Sequence, residues 1–175
     1  MFKIDFIPFL INTDMKIVEK WFDSDTFFYD SHLPSKIPFS EIERLVTFPN
    51  SHTTVITCNG MKVGLCDYIM EERTRIAKIE FCLASDDLYT TIGREVLTAY
   101  ITRLFNSIPA IKVMKYVYEF DHFGHTLFET YPFYKEGTLY SMAFKDNRYW
   151  DVLVYSLLDE ELKGVKEVHT VDRTT

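Results

Sequence analysis

A mixed α/β or α+β fold follows from three observations on this 175-residue chain. Apolar, β-prone runs alternate with segments of helical period in the order β–α–α–β–β–β–α–β–α–β–β. Between Arg75 and Phe105 the hydrophobic period changes from 2 to 3.6 within about ten residues, so a strand feeds almost directly into a helix. Asn59-Gly60 separates two apolar runs and is the strongest hairpin signal in the sequence.

Taken in order, Phe2 to Leu10 reads as a first strand, with Pro8 pointing to an edge position because proline cannot donate to a ladder. Asn12-Thr13-Asp14 can cap a helix from Met15 to Phe22, where Ile17, Val18, Trp21 and Phe22 share a face. Asp23 to Pro38 is an aromatic loop carrying Phe27, Phe28 and Tyr29, and serves either as a lid over a pocket or as a wrap on the core. Ser40 caps a short helix, Glu41 to Phe48. Thr53 to Cys58 and Lys62 to Met70 form the hairpin, and Ile76 to Ala84 the central strand. The helix after it places Ile92, Val96, Ala99, Tyr100 and Leu104 on one face. Ala110 to Phe120 is a strand, Asp121 to Tyr131 a short helix capped by Asp121, and Thr138 to Lys145 with Tyr149 to Leu157 a closing hairpin around Asp146-Asn147-Arg148. The organisation expected is one domain over residues 1–162 and a polar, flexible tail over 163–175.

Composition narrows the function. Hydrophobic residues make up 47% of the chain and aromatics 16%, enough to fill a globular core. A net charge of −7 with no basic face argues against nucleic acid, whose phosphates demand one. The acidity either attracts a cationic small substrate or serves solubility, the commoner case. Cys58, Cys66 and Cys82 show no metal-type spacing and read as buried thiols of a reducing cytoplasm. No apolar run reaches membrane length, and Lys3 and Asp5 interrupt what a signal peptide would need, so no membrane partner is expected.

The polar connection Ser85-Asp-Asp-Leu-Tyr-Thr-Thr-Ile-Gly-Arg94 joins the central strand to the helix. A helix starting just beyond a strand end offers unpaired N–H groups and a positive dipole end to a phosphate. The same residues also read as an ordinary β–α connection capped by Thr90 or Thr91, which is the commoner occurrence.

Several stretches together resemble the GNAT acyl-CoA N-acyltransferases, in particular their ribosomal-protein and polyamine N-acetyltransferase branch. The family's R/Q-x-x-G-x-G/A after a strand falls on Leu88, Thr91 and Gly93, of which Gly93 alone fits fully. Its N-x-x-A/S-x-x-L-Y-E-K-L-G-F is matched more closely by Asp121-His-Phe-Gly124-His-Thr-Leu127-Phe128-Glu129-Thr-Tyr-Pro132-Phe133, followed by Glu136-Gly137. The family's closing hairpin is matched from Asp146 to Leu158. The resemblance spans roughly Asn12 to Leu162. It implies a central, mostly antiparallel sheet of six to seven strands with helices on both faces. It further implies direct acetyl transfer from acetyl-CoA to a primary amine, either a small cationic amine or a protein N-terminus, with no metal. A degenerate domain that binds coenzyme A or a protein partner without efficient catalysis is the alternative, and a homodimer is compatible with either.

By the same resemblance, coenzyme A would contact Phe81, Cys82 and Leu83 on the central strand, Tyr89, Thr90, Thr91, Ile92, Gly93 and Arg94 at the helix start, and Asp121, Gly124 and Phe128 later. Phe128 stands where many members carry a tyrosine that protonates the departing thiolate, and Leu88 and Thr91 depart from the phosphate-loop pattern. Glu80, a lone acid in an apolar strand sharing a face with Lys78 and Cys82, is the candidate base for the amine proton, against the plainer reading of a structural ion pair. Phe28, Tyr29, Tyr149 and Asp151 are the acceptor-binding candidates. His122 and His125 lie at i, i+3 without an evident third ligand, so zinc is not expected.

Overall fold

The computed structural model describes residues 2–21, 40, 43, 47, 50–130 and 132–163. Strands β1 (Ile4–Pro8), β2 (Thr54–Cys58), β3 (Met61–Glu71), β4 (Ile76–Leu83), β5 (Lys112–Tyr118), β6 (Tyr134–Lys145) and β7 (Arg148–Leu158) form one sheet in the order β1-β2-β3-β4-β5-β7-β6. Every neighbouring pair is antiparallel except β4 with β5. The described helices are α1 (Ile11–Trp21), α2 (Asp86–Thr91), α3 (Gly93–Ser107) and α4 (His122–Thr130).

The hairpin signals hold for a local reason: residues that tolerate positive φ stand where two-residue turns require it. Asn59 (φ 50°) and Gly60 (φ 81°) turn β2 into β3, and Asp146 (φ 54°) and Asn147 (φ 59°) turn β6 into β7. β1 lies at the sheet edge, as Pro8 implied. Alternation along β4 divides the core. Ala77, Ile79, Phe81 and Leu83 pack with Val96, Leu97, Tyr100 and Ile101 of α3 and with Leu127 and Phe128 of α4. On the other face Leu65 and Val55 pack with Met15 and Val18 of α1, with Cys82 beside them.

Two expected helix starts are corrected. Asn12, Thr13 and Asp14 lie within α1, which begins at Ile11; the Asp14 carboxylate reaches back to accept the Leu10 N–H (2.7 Å) and pairs with Lys62. Thr90 and Thr91 do not cap the long helix. They lie in α2, and both hydroxyls donate to the Asp87 carbonyl (2.9 and 2.7 Å), while α3 starts after Ile92 with no side-chain cap. The Asp121 cap is present: its carboxylate accepts the Gly124 N–H at 2.9 Å. The expected Asp23–Pro38 loop, with Phe28 and Tyr29, lies outside the described residues, as do most of the expected Glu41–Phe48 helix and the tail from 164.

Candidate active site

β4 and β5 pair at Ile76↔Lys112, Ala77↔Val113 and Lys78↔Met114, and no further. Beyond that point β4 stays paired with β3 as far as Leu83, and β5 stays paired with β7 as far as Tyr118. The two parallel strands are therefore held apart by their outer neighbours, and a cleft opens between them toward their C-terminal ends. At that end α3 begins and α4 starts from Asp121.

Strand alternation decides which groups face the cleft. Ala84 donates its N–H to Val63 on β3 (2.8 Å), whereas Leu83 donates to the Tyr89 hydroxyl (3.1 Å). By the same alternation Phe81 turns its N–H to the cleft. Its ring stays in the core, stacked on Tyr100 at 6.3 Å.

Glu80 and Cys82 project to the α1 face. Glu80 lies opposite Asp67 of β3 and forms an ion pair with Lys115, the first β5 residue beyond the last β4–β5 pairing. The Lys115 side chain is 11% exposed and the Glu80 side chain 51%, so the carboxylate reaches solvent while the ammonium is largely buried beside it. Burial alone would lower the Lys115 pKa; the Glu80 carboxylate beside it outweighs burial and holds it above the ordinary lysine value. Burial pushes the Cys82 thiol up to about 12, so it stays protonated. Burial also raises Asp121, against the Gly124 N–H and the Lys115 charge. Asp67 is raised by burial too, although Ser51 Oγ (2.5 Å), the His52 N–H (2.6 Å) and the Tyr68 N–H (2.7 Å) all donate to it.

The expected cofactor residues are placed as follows. Phe81, Cys82, Leu83 and Asp121 border the cleft. Tyr89, Thr90 and Thr91 are wound into α2, and Ile92 donates its N–H to Leu88 (3.0 Å), so the connection is helical rather than an open loop. Val96 donates its N–H to Ile92 (2.9 Å) at the start of α3, and no side chain caps the N–H groups of its first turn. A Cβ on Gly93 would meet Leu127, Leu88 and Leu83 at 3.6 to 3.7 Å, ordinary contact on the core side. Gly124 is different, since a Cβ there would come within 2.2 Å of the Asp121 carboxylate. Phe128 is 1% exposed and sits edge-on to Phe133 at 5.0 Å.

Of the acceptor candidates, Tyr149 is exposed and packs on Phe144 (5.1 Å), and the Asp151 carboxylate accepts the Ser141 N–H (2.9 Å). Asp151 follows on β7 from the Tyr118↔Val152 pair, at the open end of the cleft. Between them Arg148 lies 3.2 Å above the Trp150 ring, and Lys145 lies 5.2 Å from Phe120, so cations cover these aromatic faces. His125 contacts Glu129 (3.2 Å) and Tyr155 (3.5 Å), and among the described residues no group of three or more His, Cys, Asp or Glu gathers for a metal.

Sequence reading missed Lys115, Asp67 and the Tyr89 hydroxyl. The first two carried the signal that singled out Glu80, a charge inside an apolar strand; the Tyr89–Leu83 contact carried none.

A seven-stranded sheet with one parallel pair splayed beside a helix N-terminus is the GNAT fold. Solved structures agree along nearly the whole chain. The spermidine N-acetyltransferase from Vibrio cholerae in complex with CoA and spermine has a TM-score of 0.75 at 17% identity, over 93% of this chain and 98% of that one. A chimera of the same enzyme, SpeG, with hSSAT has a TM-score of 0.76 at 17% identity, over 92% and 98%. No protein-family model matches the sequence. No curated protein matches it either.

Proposed function

We propose that this protein is an N-acetyltransferase that moves an acetyl group from acetyl-CoA to a primary amine by direct transfer. The observation that carries this reading is the cleft between β4 and β5, with the Phe81 N–H on one wall, Glu80 at its mouth and the start of α3 above it. A thioester lying along β4 would place its carbonyl oxygen on an N–H of that strand, where a developing oxyanion is stabilised. The diphosphate would meet the Gly93 to Glu95 N–H groups. The amine would enter from the α1 face, where Glu80 and Asp67 attract a cation and Glu80 takes the proton that nitrogen must lose. The likeness to spermidine N-acetyltransferases, one of them solved with CoA and spermine, supports a polyamine-type acceptor.

The test is release of free thiol from acetyl-CoA against a panel of amines containing spermidine, spermine, simple diamines, a peptide N-terminus and neutral amines. A cationic amine is the expected acceptor, with a KM that rises with salt. Absence of thiol release with every amine would remove the catalytic reading.

A second reading, a GNAT domain that binds coenzyme A or a partner without efficient turnover, is favoured by Phe128, which is buried against Phe133 and has no proton to give a departing thiolate. Calorimetric binding of coenzyme A without thiol release would establish this reading instead.

A further inference from the structure

We propose that Lys115 supplies the fixed positive charge on which the thiolate leaving group departs. This rests on the acyltransferase reading above. Lys115 is the first β5 residue past the Lys78↔Met114 pair, and its side chain reaches across to Glu80 on β4. The titratable groups facing it are Glu80 and Cys82 on β4 and Asp121 at the start of α4.

In the reaction, the acceptor nitrogen forms a bond to the thioester carbonyl carbon and its proton passes to Glu80. The C–S bond breaks and its electron pair goes to sulfur, which leaves as a thiolate against the ammonium. Lys115 keeps its own proton, because a thiolate of pKa about 8.5 is a weaker base than a lysine amine of about 10.4, and the thiolate charge takes the place of the Glu80 charge beside the ammonium. The thiolate takes a proton from water and Glu80 returns one, so the amine's proton ends on the thiol. What Lys115 contributes is charge in a partly dry cleft, where charge acts strongly.

The test compares wild type with Lys115→Met, Lys115→Gln and Lys115→Arg. Acetyl-CoA and the acetyl thioester of 4-nitrothiophenol, whose thiol is far more acidic, serve as donors, and coenzyme A affinity is measured by calorimetry. Removing the charge is expected to lower kcat with acetyl-CoA about 10²-fold, the usual effect of losing one oxyanion-type stabiliser. Coenzyme A affinity should stay near wild type, Lys115→Arg should recover most of the rate, and the deficit should shrink with the aryl thioester. The Gln variant keeps the comparison available if the Met variant fails to fold. An unchanged kcat, an equal loss with both donors, or acetylation of Lys115 itself by acetyl-CoA would each overturn the proposal. A wild-type protein that turns over no amine would instead overturn the acyltransferase reading, and this inference with it.

Discussion

The Tyr89 hydroxyl accepts the Leu83 N–H at 3.1 Å, and this one contact closes the upper end of the β4–β5 cleft from within. Both residues are buried, Leu83 completely, and burial drives the Tyr89 pKa well above its ordinary value, so the hydroxyl stays neutral. An acyl donor lying along β4 must displace it. Tyr89→Phe leaves Leu83 without a partner in the free protein, which should cost about 1–3 kcal/mol and lower Tm. The freed N–H would be offered to the ligand, and coenzyme A should bind about tenfold more tightly, the equivalent of about 1.4 kcal/mol. Calorimetry on both proteins checks this; equal affinities would place the pantetheine arm away from Leu83.

Glu80 should be felt in the pH–rate profile. Glu80→Gln keeps a hydrogen-bond acceptor for Lys115 but cannot take a proton. The expected loss in kcat is about 10²- to 10⁴-fold below the acceptor's pKa, narrowing at high pH where the amine is already neutral. A profile of unchanged shape would exclude Glu80 as the base.

Two glycines should respond in opposite ways. Gly124→Ala drives a Cβ into the Asp121 carboxylate and breaks the α4 cap, so Tm should fall by the equivalent of about 1–2 kcal/mol. Gly93→Ala has room at 3.6 Å and no positive φ, so it should leave Tm unchanged or raise it by up to about 1 kcal/mol of helix propensity. Thermal unfolding of the two variants measures the contrast.

Asp14 sets an acid limit. It is 2% exposed, and although burial opposes its charge, the Lys62 ammonium and the Leu10 N–H outweigh that and lower its pKa below 3.8. A folded pKa below the unfolded one stabilises above pH 3.8 and stops doing so as pH falls through the folded value. Asp14→Asn should therefore cost about 1–3 kcal/mol at pH 7 and little in strong acid, giving a flatter acid limb in denaturation between pH 2 and 5.

The sequence by itself determined the local geometry. The period change after Ala84, the Asn59-Gly60 and Asp146-Asn147 turns, the Asp121 cap and the edge position of Pro8 each follow from a few neighbouring residues and the dihedral angles they tolerate. The order of those elements, read with the Asp121–Phe133 stretch and the closing hairpin, was enough for the GNAT fold. Helix starts were less legible, because Asp14 satisfies a helix end from inside the first turn and Ile92 starts α3 with no side-chain cap. The content of the cleft was decided by the tertiary structure. Lys115 meets Glu80 across 35 positions of sequence only because β7 draws β5 aside while β3 holds β4. Tyr89 reaches Leu83 only because α2 folds back over the end of its own strand. Such contacts depend on where strands part company, which is set by the sum of pairings on both sides and leaves no periodic trace in the residues at the gap.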